Sequence, residues 1–296
     1  MIRYPSSIIF FFVISYRVYA ALWTDHPVVT WVLLEIRLIS LIPFLPILGS
    51  VRYFIVQRVG SILFFRSVIS TESLLLPWVG IGLKLGSAPL HWWVPTLFRK
   101  VRWPNIILIS SVIKVVPLAI LDIGLYDYYT IIGLVLLNTI VGAYGGIRQV
   151  TLKKLIAYSG INHLGWILAS IIVSSSIWAY YLLFYTLNII LLARIVKYKD
   201  LSVYFILLSL GGIPPLIGFF PKLVILKGVI IFAPFLAIFI LLRTALALFY
   251  YIMLLLGGIL GGKSWGNTYL VAFLRFIPSS VIPMLYIING FSVIAF

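Results

Sequence analysis

The sequence predicts an all-α, polytopic membrane protein of about eleven transmembrane helices, and three observations carry that prediction. Hydrophobic residues make up 63% of the 296-residue chain and charged residues 9%, with a mean hydropathy of +1.19. Apolar windows of about 18 to 22 residues, the length that crosses a bilayer, recur from end to end. The short loops between those windows sort their basic residues onto one side. Six acids and 22 bases cannot clothe a soluble core of this size, which excludes a soluble enzyme. The absence of cysteine removes disulfides, zinc-thiolate sites, thiolate-held iron-sulfur clusters and cysteine nucleophiles together. Apolar residues begin almost at Met1 with no Arg/Ser-rich stretch ahead of them, so the first span is expected to be retained.

Charges and turn residues bound the spans in order. The first is expected at 4–22 and the second at 27–48, the latter carrying Glu35 and Arg37. The third, at 51–69, holds Arg58. The fourth, at 74–95, is interrupted at Leu85-Gly86-Ser87-Ala88-Pro89 beside Lys84, and the fifth, at 104–122, holds Lys114 and Pro117. A second set follows at 129–147, 156–173, 177–196, 203–231 and 234–256, and a last helix at 277–296. The member at 203–231 is interrupted at Gly211-Gly212-Ile213-Pro214-Pro215, shortly before Lys222. The chain therefore reads as one transmembrane domain over 1–296, with a five-helix set over about 4–122 and another over about 129–256. An odd number of helices per set inverts the second relative to the first, and in each set the fourth helix is the broken one.

The loops test this count. Arg3, Arg52, Arg99, Lys100, Arg102, Arg148, Lys153, Lys154, Arg194, Lys197, Lys199, Lys263 and Arg275 fall on one side, against the single acid Asp200. The other side carries Asp25, Glu72, Asp122 and Asp127, with Arg66 its one base. The N-terminus is thereby expected on the positive side and the C-terminus opposite. Dividing the +16 net charge between one membrane face and the apolar interior argues against a nucleic-acid groove and for topology and anionic-lipid contact.

The residues inside the spans carry the chemistry. A cation at mid-bilayer costs roughly 2.5 to 3.5 kcal/mol on the insertion scale, and irregular backbone at that depth is tolerated only inside protein or beside a watery cavity. Lys84 and Lys222, each at a helix break, meet both conditions. Glu35 is the one acid deep in a span and needs a cationic partner or a proton; Lys84 is the functional candidate, while Arg37 or Arg58 would make a fixed helix tie. Lys114 lies near the middle of its helix, where desolvation makes a lysine suited to reversible protonation; snorkelling to a headgroup is the plainer alternative. His163, with Ser159 on the same polar helix, could bridge two lysines or be a hydrogen-bonded core histidine. Arg17, Arg37, Arg58 and Arg243 stay protonated, so they read as field-shaping or snorkelling charges. His91 with Trp92 and Trp93 reads as an interfacial aromatic belt, Lys227 as interfacial, and the pairs Gly82/Gly86 and Gly142/Gly146 as close helix packing. The sequence holds no Walker loop, no HExxH and no nucleophile elbow.

Four blocks, Thr30 to Glu35, Lys84 to Pro95, Leu152 to Ser159 with His163 to Trp166, and Ser209 to Lys222, resemble the antiporter-like membrane subunits of respiratory NADH:ubiquinone oxidoreductase (complex I), the chain 2 family among them. The resemblance runs over nearly the whole chain. It implies a mitochondrial inner-membrane, multi-pass protein with its N-terminus on the matrix side and its C-terminus on the intermembrane-space side. It implies a proton-moving subunit without its own redox centre, so that NADH, FMN, iron-sulfur clusters and ubiquinone belong to other subunits and this chain binds no cofactor. Its partners would be neighbouring antiporter-like chains, other membrane-arm subunits and lipid, not nucleic acid. By motif match, Glu35 and Lys84 would form the switch pair, Lys114 the central lysine and Lys222 the terminal one. Thr96 stands where the family commonly has an acid, and Arg37 and Arg58 add cations near Glu35. The rival readings are a structural membrane-arm subunit that does not pump and a free-standing cation/proton antiporter.

Overall fold

The computed structural model describes residues 27–69, 75–122, 127–174, 176–196, 202–214 and 216–259. The expected spans at 4–22 and 277–296, Arg17 and the side chain of Arg37 lie outside that description. All regular structure among the described residues is helical. Helix α1 (Pro27–Leu41) leads through a 3-10 turn (Ile42–Phe44) to α2 (Ile47–Ile69). The division falls earlier than the 49–50 expected from hydropathy. Pro43 and Pro46 lack the N–H that a continuing helix needs, and the Pro46 carbonyl instead accepts the Gly49 and Ser50 amides at 2.8 Å.

The expected fourth span is two helices, α3 (Leu75–Leu85) and α4 (Trp93–Lys100), with α4 running on past the expected end at 95. The next span is also interrupted, into α5 (Trp103–Ser110) and α6 (Val112–Asp122), with Ser111 at φ −120° and ψ −75° between them. Helices α7 (Tyr128–Ile147), α8 (Leu152–Val173) and α9 (Ile177–Ile195) fall close to the expected positions. The second broken helix comprises α10 (Ser202–Gly211) and α11 (Phe219–Phe232), followed by α12 (Pro234–Ile259). Among the described residues, five stretches, Trp103–Asp122, Tyr128–Ile147, Leu152–Val173, Ile177–Ile195 and Pro234–Gly257, are long and apolar enough to cross a membrane. They make this a multi-pass membrane chain.

Helix α8 occupies the centre, packed by α4, α7, α9, α11 and α12, and is buried on nearly every face. That enclosure explains how it carries Ser159, Asn162, His163 and Ser170 without a polar stripe facing outward. Gly142 on α7 is what lets α8 approach: a β-carbon there would stand 2.5 Å from the Asn162 amide nitrogen. Its partner in the sequence pattern, Gly146, meets the Tyr250 ring of α12 instead. Gly82 and Gly86 do not mediate a helix crossing. Their neighbours are Ser87 and Leu90 for the first, Val94 and Trp93 for the second, all within the break and its flank. The close crossing of α2 and α3 is made by Gly60 and Gly80, where a β-carbon on either would lie under 3 Å from the other's carbonyl oxygen.

Candidate functional site

Each helix break is built around a lysine, on opposite sides of the gap. Lys84 lies in the last turn of α3, where a cation is favoured by the orphan carbonyls and the helix dipole. Gly86 follows at φ +68°, a left-handed turn that leaves no room for a side chain, since a β-carbon would meet Val94 at 2.4 Å. The loop is tied to α7 by the Ala88 amide donating to Asn138 Oδ1 at 2.9 Å. On α2, Gln57 donates to the Lys84 carbonyl at 3.3 Å, and Lys84 Nζ donates to Ser61 Oγ at 2.7 Å.

Glu35 reaches the same helix α2. Its Oε2 accepts from Arg58 Nη1 at 2.6 Å, so the ion pair drawn is with one of the two arginines that the sequence held open beside Lys84. The second carboxylate oxygen is buried and accepts no hydrogen bond among the described residues. Arg58, Ser61 and Gln57 thus place the acid of α1 and the lysine of α3 on neighbouring turns of one helix.

Lys114 stands one turn beyond the Ser111 discontinuity. Its Nζ donates to the Gly160 carbonyl of α8 at 3.2 Å and lies over the Tyr185 ring at 5.8 Å. At 8% exposure it is buried, so the side chain does not snorkel within this chain. Lys84, Gly86, Ser110, Lys114, Gly160 and Tyr185 line one cavity of about 10 Å³, room for about one water.

His163, one turn along α8 from Gly160, is paired through Nδ1 with Tyr181 Oη at 2.7 Å and stacks at a tilt against Tyr185, centroids 4.9 Å apart. Ser159 accepts from Tyr251 of α12. At the second break, Lys222 lies in the first turn of α11 and turns back to the end of α10, donating to the Leu210 and Gly211 carbonyls at 2.7 and 2.8 Å. Those are orphan acceptors of a helix C-terminus, the environment that holds a cation best. Ser209 fastens the gap by accepting from the Gly218 amide at 3.1 Å and donating to Asn188 Oδ1 at 2.9 Å. A second cavity of about 10 Å³ is lined by His163, Tyr181, Tyr185, Asn188, Ser209 and residues of the break.

A family model described as NADH:quinone oxidoreductase/Mrp antiporter, TM, matches residues 38–201. NADH-ubiquinone oxidoreductase chain 2 of Aquarana catesbeiana is 33% identical over 274 residues, covering 77% of this chain and 79% of that protein. The chain belongs to this family. The chain 2 protein of Locusta migratoria is 29% identical over 241 residues, covering 68% and 70%. Among solved structures, a chain of respiratory complex I from Thermus thermophilus superposes with a TM-score of 0.73 at 20% identity, covering 91% of this chain and 76% of that one. A chain of the Mrp complex from a Dietzia species gives 0.69 at 15% identity, covering 83% and 59%. These two likenesses show the fold.

In this NADH:quinone oxidoreductase/Mrp antiporter chain the remaining expectations resolve individually. Trp92 is exposed, as a belt residue would be, but Trp93 is core and packs edge-on to Tyr53 at 5.7 Å. His91 sits against the Pro89 carbonyl. Arg243 bonds the Tyr144 hydroxyl at 2.8 Å and lies over two rings, consistent with a fixed charge. Lys227 is exposed. Thr96 donates back to its own helix at Trp93 O, 2.8 Å away. Sequence reasoning passed over Gln57, Ser61, Asn138, Tyr181, Tyr185 and Asn188. The one legible signal was Gln57-Arg58 with Ser61 a turn later, a polar cluster on one face of an apolar helix.

Proposed function

We propose that this chain is a proton-translocating, non-redox subunit in the membrane arm of a mitochondrial complex I, moving charge through Glu35, Lys84, Lys114, His163 and Lys222. The observation that carries the reading is the succession of buried bases from one helix break to the other, with water-sized cavities against Lys84 and Lys114 and against His163. Two ammonium groups in one low-dielectric cavity oppose each other, so a proton taken up at Lys84 favours release from Lys114, and movement of Glu35 towards or away from Lys84 sets that balance. Lys222, lodged on carbonyls, is the terminal station. The breaks in α3/α4 and α10/α11 support reading 4–122 and 129–256 as inverted repeats. NADH oxidation, with FMN and iron-sulfur clusters, and ubiquinone reduction belong to other subunits. Neighbouring antiporter-like chains and inner-membrane lipid are the partners, and the N-terminus faces the matrix.

A second reading, a membrane-arm scaffold that does not pump, draws on the Glu35–Arg58 ion pair, which ties α1 to α2. Lys114→Ala in the assembled complex separates the two when NADH oxidation and membrane potential are followed independently. The proton path requires fewer protons per electron or stalled turnover. An unchanged ratio at an unchanged rate sinks the role of Lys114 and leaves the scaffold.

A further inference from the structure

The two cavities share one lining residue. Tyr185, from α9, borders both the Lys84/Lys114 compartment and the one holding His163. Its ring faces the Lys114 ammonium and stacks against His163. Its hydroxyl is buried beside the Ser110 hydroxyl and makes no well-aligned hydrogen bond among the described residues, so it is open to a water from either cavity. Ser110, beside it, gives its own proton to the Ile107 carbonyl at 3.1 Å. Beneath the hydroxyl lies Gly160, whose missing β-carbon would stand 2.9 Å from Oη and 4.0 Å from Lys114 Nζ. The space in which a hydroxyl, an ammonium and a water can meet therefore depends on that glycine.

Resting on the proton-moving reading above, we infer that the Tyr185 hydroxyl is the proton-passing gate between the two compartments. A proton leaving Lys114 protonates a water in the first cavity and then reaches Tyr185 Oη, while the phenol's own proton departs to a water beside His163. The phenol is neutral before and after, and rotation about Cζ–Oη resets it. No bond other than O–H and N–H changes, and no co-reactant is needed.

Tyr185→Phe tests this because it keeps the ring against Lys114 and His163 and deletes only the hydroxyl. In proteoliposomes of the whole complex, normalised to assembled enzyme, the expected result is a fall in NADH-driven proton transport of at least about threefold, matching Lys114→Ala measured alongside. Gly160→Ala, which fills the space under Oη, should act in the same direction and serves if the phenylalanine variant does not assemble. Wild-type transport in Y185F with K114A impaired overturns the gate alone. Wild-type transport in both overturns the proton path and the gate together. Impairment in Tyr185→Leu but not in Tyr185→Phe assigns the residue to ring packing and also overturns the gate.

Discussion

Gly212 is the bed on which Lys222 lies. At φ +86° its backbone curls around the lysine, and a β-carbon there would stand 2.8 Å from Cδ and 3.0 Å from Nζ. The lysine can reach the Leu210 and Gly211 carbonyls because residue 212 has no side chain.

Gly212→Ala is therefore expected to do two things. The left-handed conformation costs about 1 to 2 kcal/mol with a β-carbon, and the methyl lifts the ammonium from its carbonyls. Proton transport per assembled complex should fall as far as in Lys222→Ala. Retention of full transport would show that the carbonyl seat of Lys222 is dispensable.

The Glu35–Arg58 pair invites a double-mutant cycle. Arg58→Gln strands a buried carboxylate, and because the arginine itself is part-exposed the cost should be about 1 to 3 kcal/mol, below that of a fully buried pair. Glu35→Gln with Arg58→Gln should assemble better than Arg58→Gln alone. Simple additivity, read from assembly yield and detergent denaturation, would show that the pair contributes no coupling.

Gly142 and Gly133 lie on the same helix and predict opposite outcomes. A methyl at 142 meets Asn162 backbone at 2.5 to 2.7 Å and must prise α7 from α8, whereas one at 133 meets nothing within 4 Å. Gly142→Ala should lower stability by about 1 to 3 kcal/mol or more, and Gly133→Ala should be neutral or stabilising by up to about 1 kcal/mol. Equal thermal stability of the two would refute the tight crossing.

Tyr181→Phe removes the partner of His163 Nδ1 at 2.7 Å and leaves a buried ring nitrogen unbonded, a loss of about 1 to 3 kcal/mol. With His163 on the path, protons per electron should drop in assembled complex. A lower yield with an unchanged ratio would make the pair a packing element.

The described helices and the breaks beside Lys84 and Lys222 follow from the sequence, because hydropathy, missing proline donors and glycine freedom act within a single segment, whereas the interruption at Ser111 beside Lys114 does not. That is why Lys84, Lys114 and Lys222 were singled out in advance and are buried, and why the helix from Leu152 to Val173, marked by Ser159 and His163, could be recognised as unusually polar. What only the tertiary structure decided depends on which faces of separate helices meet. The ion pairing of Glu35 with Arg58, the seating of Lys84 on Ser61, the Gly60–Gly80 crossing, the burial of Trp93 and the position of Tyr185 bordering two cavities join residues from about 20 to 100 positions apart. No periodicity within one apolar helix specifies which face another will meet, since in a membrane the lipid-facing and protein-facing sides are equally hydrophobic.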